Sequence, residues 1–182
     1  MNRQIEERFI FRSILPEEAK EAAEIEKICF PPNEACTAEI MEERTRRAPE
    51  LFLVAEDQEK GKLAGFINGL GTREKTLRDD FFKETELHDP EGENVMILGV
   101  DVLPGYRGRG LAREMMRQYA ALAARQGRKR LVLTCLEEKV RMYASMGFRD
   151  HGMSGSCWGG EQWHEMSRGL GEPEADFRRK EV

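Results

Sequence analysis

The chain has 182 residues, 40% hydrophobic and 35% charged with both signs mixed, a composition that suits one globular domain and excludes disordered and fibrous classes. A formal net charge of −5 excludes a general nucleic-acid binder, although Lys and Arg cluster at 107–113 and 125–130 and keep a local anion site open. No apolar run approaches a membrane span and the N-terminus lacks a signal-peptide pattern, so a cytoplasmic location without a membrane partner is expected.

Residues 8–14, RFIFRSI, alternate and favour a first strand. Pro16 then opens a helix in which Ala19, Ala22, Ile25 and Ile28 recur at helical spacing, and the prolines at 31 and 32 stop it. A second helix starts at Thr37 and ends near 47–50. Residues 51–57 and 62–71 read as an antiparallel hairpin around a polar turn. The charged stretch 74–94 predicts a long loop with one short helix around Phe81 and Phe82. Residues 95–103, VMILGVDVL, are nearly continuous apolar chain, the pattern of a central strand buried on both faces. A helix over about 110–126 ends at Gly127, 130–135 form another buried strand, and a short helix over 137–146 stops at Gly147. Residues 148–168 predict two strands joined at Gly159-Gly160, and a charged tail follows, taken as 171–182 after a single domain over 1–170. Buried strands linked by crossover helices imply an α/β fold with a sheet of mixed direction.

The turn PGYRGRG after the most apolar strand leads straight into a helix. Free N–H groups at a helix start, together with the positive end of its dipole, suit a pyrophosphate. Gly108 and Gly110 remove side chains that would hold a phosphate away, while Arg107, Arg109 and Arg113 add positive charge. Neither a Walker loop nor a GxGxxG fingerprint is present, since Gly105, Gly108 and Gly110 have the wrong spacing. The four cysteines lack paired close spacing, and His88, His151 and His164 lack metal-ligand spacing, so reduced thiols and no metal are expected.

Residues 107–112, Arg-Gly-Arg-Gly-Leu-Ala, resemble the acetyl-CoA loop of the GNAT N-acetyltransferase superfamily, whose pattern is Gln/Arg-x-x-Gly-x-Gly/Ala. The segment LVLTCLEEKVRMYASMGF at 131–148 is similar to that superfamily's later strand, helix and Tyr-x-x-x-Gly-Phe segment, and the resemblance covers about residues 8–168. Within the superfamily, FRSILPEEAKEAAEIEKICF and GSCWGGEQWHEMSR look closest to the arylalkylamine (serotonin) N-acetyltransferases.

The resemblance implies a mostly antiparallel sheet with flanking helices and a splayed acetyl-CoA-binding strand. It implies acetyl-CoA as co-substrate and direct acetyl transfer to a primary amine of a small molecule, arylalkylamine- or polyamine-like. Backbone of Val100, Asp101 and Val102 would bind the pantetheine arm, and Gly108 to Arg113, with Leu111 and Ala112, the pyrophosphate. Tyr143 falls on the family tyrosine and would act as general acid. The histidines of the arylalkylamine enzymes align with Met96 and Leu98, which cannot accept a proton, so Glu93 is the base candidate and Glu137 a weaker one. Phe30, Pro31, Met96, Leu98, Thr134 and Trp158 would line the acceptor pocket. Alternatives are a protein or peptide N-acetyltransferase and a non-catalytic acyl-CoA sensor. Monomer and homodimer are both compatible with the sequence.

Overall fold

The structure, a computed structural model, describes residues 3–171. A short helix α1 (Arg3–Arg8) leads into β1 (Phe9–Ser13). Helices α2 (Ala19–Cys29) and α3 (Ala38–Arg47) follow, then the hairpin β2 (Phe52–Asp57) and β3 (Lys62–Thr72). The long strand β4 (Asn94–Val102) precedes α4 (Leu111–Arg125), β5 (Arg130–Cys135), α5 (Glu137–Ala144), β6 (Arg149–Met153) and β7 (His164–Gly169). These strands form one sheet in the order β1-β2-β3-β4-β5-β7-β6, antiparallel everywhere except between β4 and β5.

Local chemistry explains the breaks. Thr37 caps α3 by accepting from the Ile40 N–H at 3.3 Å. Asp57 closes the β2–β3 turn, its carbonyl accepting from Gly61 at 2.8 Å and its carboxylate from the Glu59 N–H at 3.1 Å. The charged stretch 74–94 contains two 3₁₀ turns, Asp79–Phe82 and Thr85–Leu87, where the sequence predicted one short helix. α1 was not anticipated, because RQIEER offers only Ile5 as an apolar anchor. The expected tail at 171–182 lies outside the described residues after Gly171.

The sheet separates two cores. One face packs β4 and β5 against α4 and α5 through Met115, Met116, Tyr119, Leu131 and Phe148. The other packs β2 and β3 against α2 and α3 through Ala22, Ile25, Met41, Phe52 and Phe66. Burial on both faces is why β4 reads as an unbroken apolar run.

The parallel pair β4–β5 is short. Only Asn94, Val95 and Met96 pair with Arg130, Leu131 and Val132, and from Ile97 onward β4 has no partner on that side. A register irregularity opposite Asn68 and Gly69 bends β4 where the pairing ends. β5 meanwhile keeps its ladder to β7 as far as Cys135↔His164. The two strands therefore diverge into a wedge-shaped gap that opens toward the start of α4.

Candidate active site

A cavity of about 700 Å³ occupies this gap. One wall is the free edge of β4. Leu103 donates its N–H to Ala64 in β3 at 3.0 Å, so strand alternation turns the N–H groups of Val100 and Val102 toward the gap. The Val102 carbonyl, which accepts from Arg107 Nε at 2.8 Å, faces the same way. Val100 and Val102 line the cavity. Asp101, expected to join them, points its backbone into the β3 ladder, and its buried side chain lies on the α2/α3 face.

At one end the wall is the turn 104–110 and the first turn of α4. Gly108 and Gly110 adopt φ of +74° and +87°, left-handed conformations that favour glycine, and no side chain overhangs Gly108. The first N–H groups of α4, at Leu111, Ala112 and Arg113, have no partner within the helix. Arg113 is anchored to the next helix, donating to the Ser145 carbonyl and hydroxyl at 2.7 Å each. Arg107, Gly108, Gly110, Leu111, Ala112, Arg113 and Lys139 all line this end, whereas Arg109 is exposed on the turn and does not. The cradle of amides and cations fits a pyrophosphate, and the unpaired β4 amides fit an extended arm bearing its own amide groups.

The opposite end is aromatic and acidic. Phe30, Pro31 and Glu34 come from the α2–α3 loop, Phe82 from the 3₁₀ turn, and Trp158 and Trp163 from the β6–β7 loop. These segments interlock. Trp158 stacks on Phe82 at 4.9 Å between centroids, its indole N–H donates to the Glu34 carbonyl at 2.9 Å, and Asn33 donates to the Gly159 carbonyl at 2.6 Å. Burial, with a contribution from Glu161, pushes the Glu34 carboxyl up. Glu26 also reaches the cavity although it is only 4% exposed. The cavity thus has a cationic end and an anionic end.

Tyr143 also lines the cavity, 8% exposed and held edge-on against Phe148 at 5.8 Å. Its hydroxyl makes no hydrogen bond among the described residues. Burial, with Cys135 and Asp101 nearby, pushes the phenol above its ordinary value, so it is protonated at neutral pH.

Of the expected pocket residues, Phe30, Pro31, Leu98, Thr134 and Trp158 line the cavity, but Met96 does not. Met96 sits where β4 and β5 are still paired, fully buried in the core. Glu93 also stands outside. It precedes β4 at the closed end of the gap and pairs with Lys129 at 2.5 Å, which holds its carboxyl low. Glu137 is exposed and does not line the cavity. The histidines are elsewhere too: His88 bonds Gly71 and Glu50, His151 bonds Ser167, and His164 bonds Asp150. Among the described residues no group of three or more His, Cys, Asp or Glu could hold a metal, and no helix is long and apolar enough to cross a membrane.

Sequence reasoning missed Glu26, Cys29 and Arg44. They read as ordinary positions on amphipathic helices, and only the packing of α2 and α3 over the sheet buries Glu26 and Arg44 and half-buries Cys29.

No curated relative matches the chain in sequence. Among solved structures, the loading GNATL domain of CurA from Lyngbya majuscula superposes with a TM-score of 0.77 at 16% identity, over 89% of this chain and 98% of that one. YncA from Salmonella typhimurium, a putative acetyltransferase solved with its cofactor acetyl-CoA, gives 0.65 at 17% identity over 92% and 96%. A phosphinothricin acetyltransferase from Sinorhizobium meliloti, in complex with acetyl-CoA, gives 0.66 at 15% identity over 92% and 91%. These likenesses concern the fold. The acetyltransferase (GNAT) family model matches residues 19–148, a span that contains both diverging strands, the glycine turn and Tyr143, and the chain belongs to that family.

Proposed function

We propose that the protein transfers an acetyl group from acetyl-CoA directly to the primary amine of a small molecule, arylalkylamine- or polyamine-like, with Tyr143 as general acid. The observation that carries this reading is the single two-ended cavity. Its cationic cradle at Gly108 to Arg113 suits the pyrophosphate, its free β4 edge suits the pantetheine arm, and its acidic, aromatic end suits an amine cation. Tyr143 lines the same cavity, and in this reading it stands beside the thioester.

In this reading the amides of Val100 and Val102 hold the arm and polarise the thioester carbonyl. The neutral amine attacks the carbonyl carbon, the C–S bond breaks, and the sulfur takes the phenolic proton of Tyr143. A phenol held above its ordinary range stays protonated until that moment. The bond from Trp158 to Glu34 and that from Asn33 to Gly159 close the acceptor end, which favours a small acceptor over a protein segment.

The test is thiol release from acetyl-CoA with phenethylamines, indole amines, polyamines, amino acids and short peptides. Release is expected with one class of small amine. Tyr143→Phe should lower kcat on the order of 10²–10⁴-fold while calorimetry shows unchanged acetyl-CoA affinity. Equal turnover by the phenylalanine variant would remove Tyr143 from the chemistry, and release with peptides alone would transfer the reading to a protein acceptor.

A further inference from the structure

Between them, α2, α3, β3 and β4 bury a polar cluster that the mechanism above does not use. Glu26 of α2 is 4% exposed, Arg44 of α3 2%, Asn68 of β3 1% and Asp101 of β4 0%. The cluster is under-satisfied. Glu26 Oε1 accepts from the Cys36 N–H at 2.9 Å, but its Oε2 has no hydrogen bond and stands 4.0 Å from Arg44 Nη1. Arg44 donates through Nη2 to the Phe82 carbonyl at 2.8 Å, leaving Nε and Nη1 unbonded. Neither carboxylate oxygen of Asp101 accepts from an N–H or O–H donor, the Cys29 thiol being the group beside it, and Asn68 Oδ1 accepts from none.

Two buried carboxyls against one guanidinium leave a site short of one positive charge. Buried charge that is neither paired nor bonded is costly, so the site is completed by a proton or by an incoming cation. Of the two, Glu26 lines the cavity and Asp101 does not.

We propose that Glu26, and not the neighbouring Asp101, is the proton acceptor for the amine. This rests on the acetyltransferase reading and supplies the base that Glu93 does not. The acceptor enters as an ammonium ion and gives one proton to Glu26 Oε2. The freed lone pair forms the C–N bond, the C–S bond breaks, and sulfur takes the proton of Tyr143. The phenolate regains a proton from the acylated nitrogen, so the reaction releases one proton overall, from Glu26 to solvent.

The groups that act on this pair are Arg44 from α3, Cys36 from the following loop, Cys29 of the same helix and Arg107 from the turn after β4. Burial, reinforced by the charge of Glu26, pushes the Asp101 carboxyl well above the usual range. Burial likewise pushes the Cys29 thiol to about 11 and the Cys36 thiol to about 12, so neither thiolate competes as a base near neutral pH.

The experiment is the pH–rate profile of wild type, Glu26→Gln, Glu26→Asp and Asp101→Asn, with acetyl-CoA and either phenethylamine or spermidine as acceptor. Glu26→Gln keeps the bond to the Cys36 N–H, and acetyl-CoA affinity by calorimetry confirms that it is folded. At pH 7 its kcat should fall on the order of 10²–10⁴-fold with KM for acetyl-CoA unchanged, and its rate should climb at high pH as the amine loses its own proton. Glu26→Asp should recover part of the rate. Asp101→Asn, which replaces a protonated carboxyl by a neutral amide, should leave the acid limb where it is. Wild-type kcat with an unmoved acid limb in Glu26→Gln overturns the assignment of Glu26 while leaving the acetyltransferase reading intact. An acid limb that is lost in Asp101→Asn but kept in Glu26→Gln moves the base to Asp101 and overturns the assignment of Glu26. No thiol release by wild type with any amine of the panel overturns the acetyltransferase reading and this one together.

Discussion

Gly110 caps α4 at φ +87°, and a Cβ placed there would make an ordinary contact with Ile5 Cδ1 at 3.6 Å, so the position is constrained by conformation rather than by space. A glutamate here would be strained and would put a carboxylate beside the amides that suit a pyrophosphate. Gly110→Glu is expected to lose at least about 100-fold in acetyl-CoA affinity, roughly 2.7 kcal/mol, in calorimetry on protein whose circular dichroism is unchanged. Undiminished affinity would show that the turn is not the phosphate site. Gly108, at φ +74° with open space around it, isolates the conformational effect. Gly108→Ala should cost about 1–2 kcal/mol of stability and weaken acetyl-CoA binding far less than Gly110→Glu.

At the scale of elements, α4 is locked to the sheet by a polar contact inside an apolar interface. Tyr119, fully buried on α4, donates its hydroxyl to the Leu51 carbonyl at the entrance of β2, at 2.9 Å. Tyr119→Phe keeps the ring but leaves that carbonyl unpaired, which should destabilise the fold by about 1–3 kcal/mol, read as a lower urea midpoint with an unchanged slope. The same scale shows why some elements were legible and others were not. β4 and α4 announce themselves through an unbroken apolar run and through apolar residues at helical spacing, because each buries a long surface. α1 and the 3₁₀ turns in 74–94 are held by single side chains and long-range bonds, such as that from the Leu77 N–H to Glu165 at 3.0 Å, which no local window contains.

For the whole molecule, two aspartates respond to pH in opposite directions. Asp57 accepts from Arg8 at 2.8 Å and from the Tyr106 hydroxyl at 2.7 Å, and chiefly the Arg8 hydrogen bond holds its carboxyl at about 2. Its folded value is below the unfolded one of about 3.9, so its contribution is complete above pH 4 and fades as pH falls toward 2. Asp57→Asn should therefore lower the melting temperature at pH 7, with the gap closing in strong acid. Asp101 is the converse. Burial raises its folded value, so above pH 4 the unfolded chain sheds a proton that the folded chain retains, and Asp101 opposes folding increasingly as pH rises. Asp101→Asn should raise the melting temperature at pH 8 and leave it unchanged near pH 3.5.

The order of strands and helices, the glycine turn, the family tyrosine and the acetyltransferase (GNAT) resemblance were all determined by the sequence, because each depends on residues close together in the chain. Residue types at fixed spacing carry that information whether or not the chain is folded. The tertiary structure alone decided which side chains meet. It turned Val100 and Val102 to the gap and Asp101 away from it, placed Met96 in the closed part of the sheet and paired Glu93 with Lys129 outside the cavity. It also buried Glu26, Arg44 and Asp101 together from three distant segments. The burial of a charged residue is a property of what covers it, and here the cover comes from residues tens of positions away along the chain.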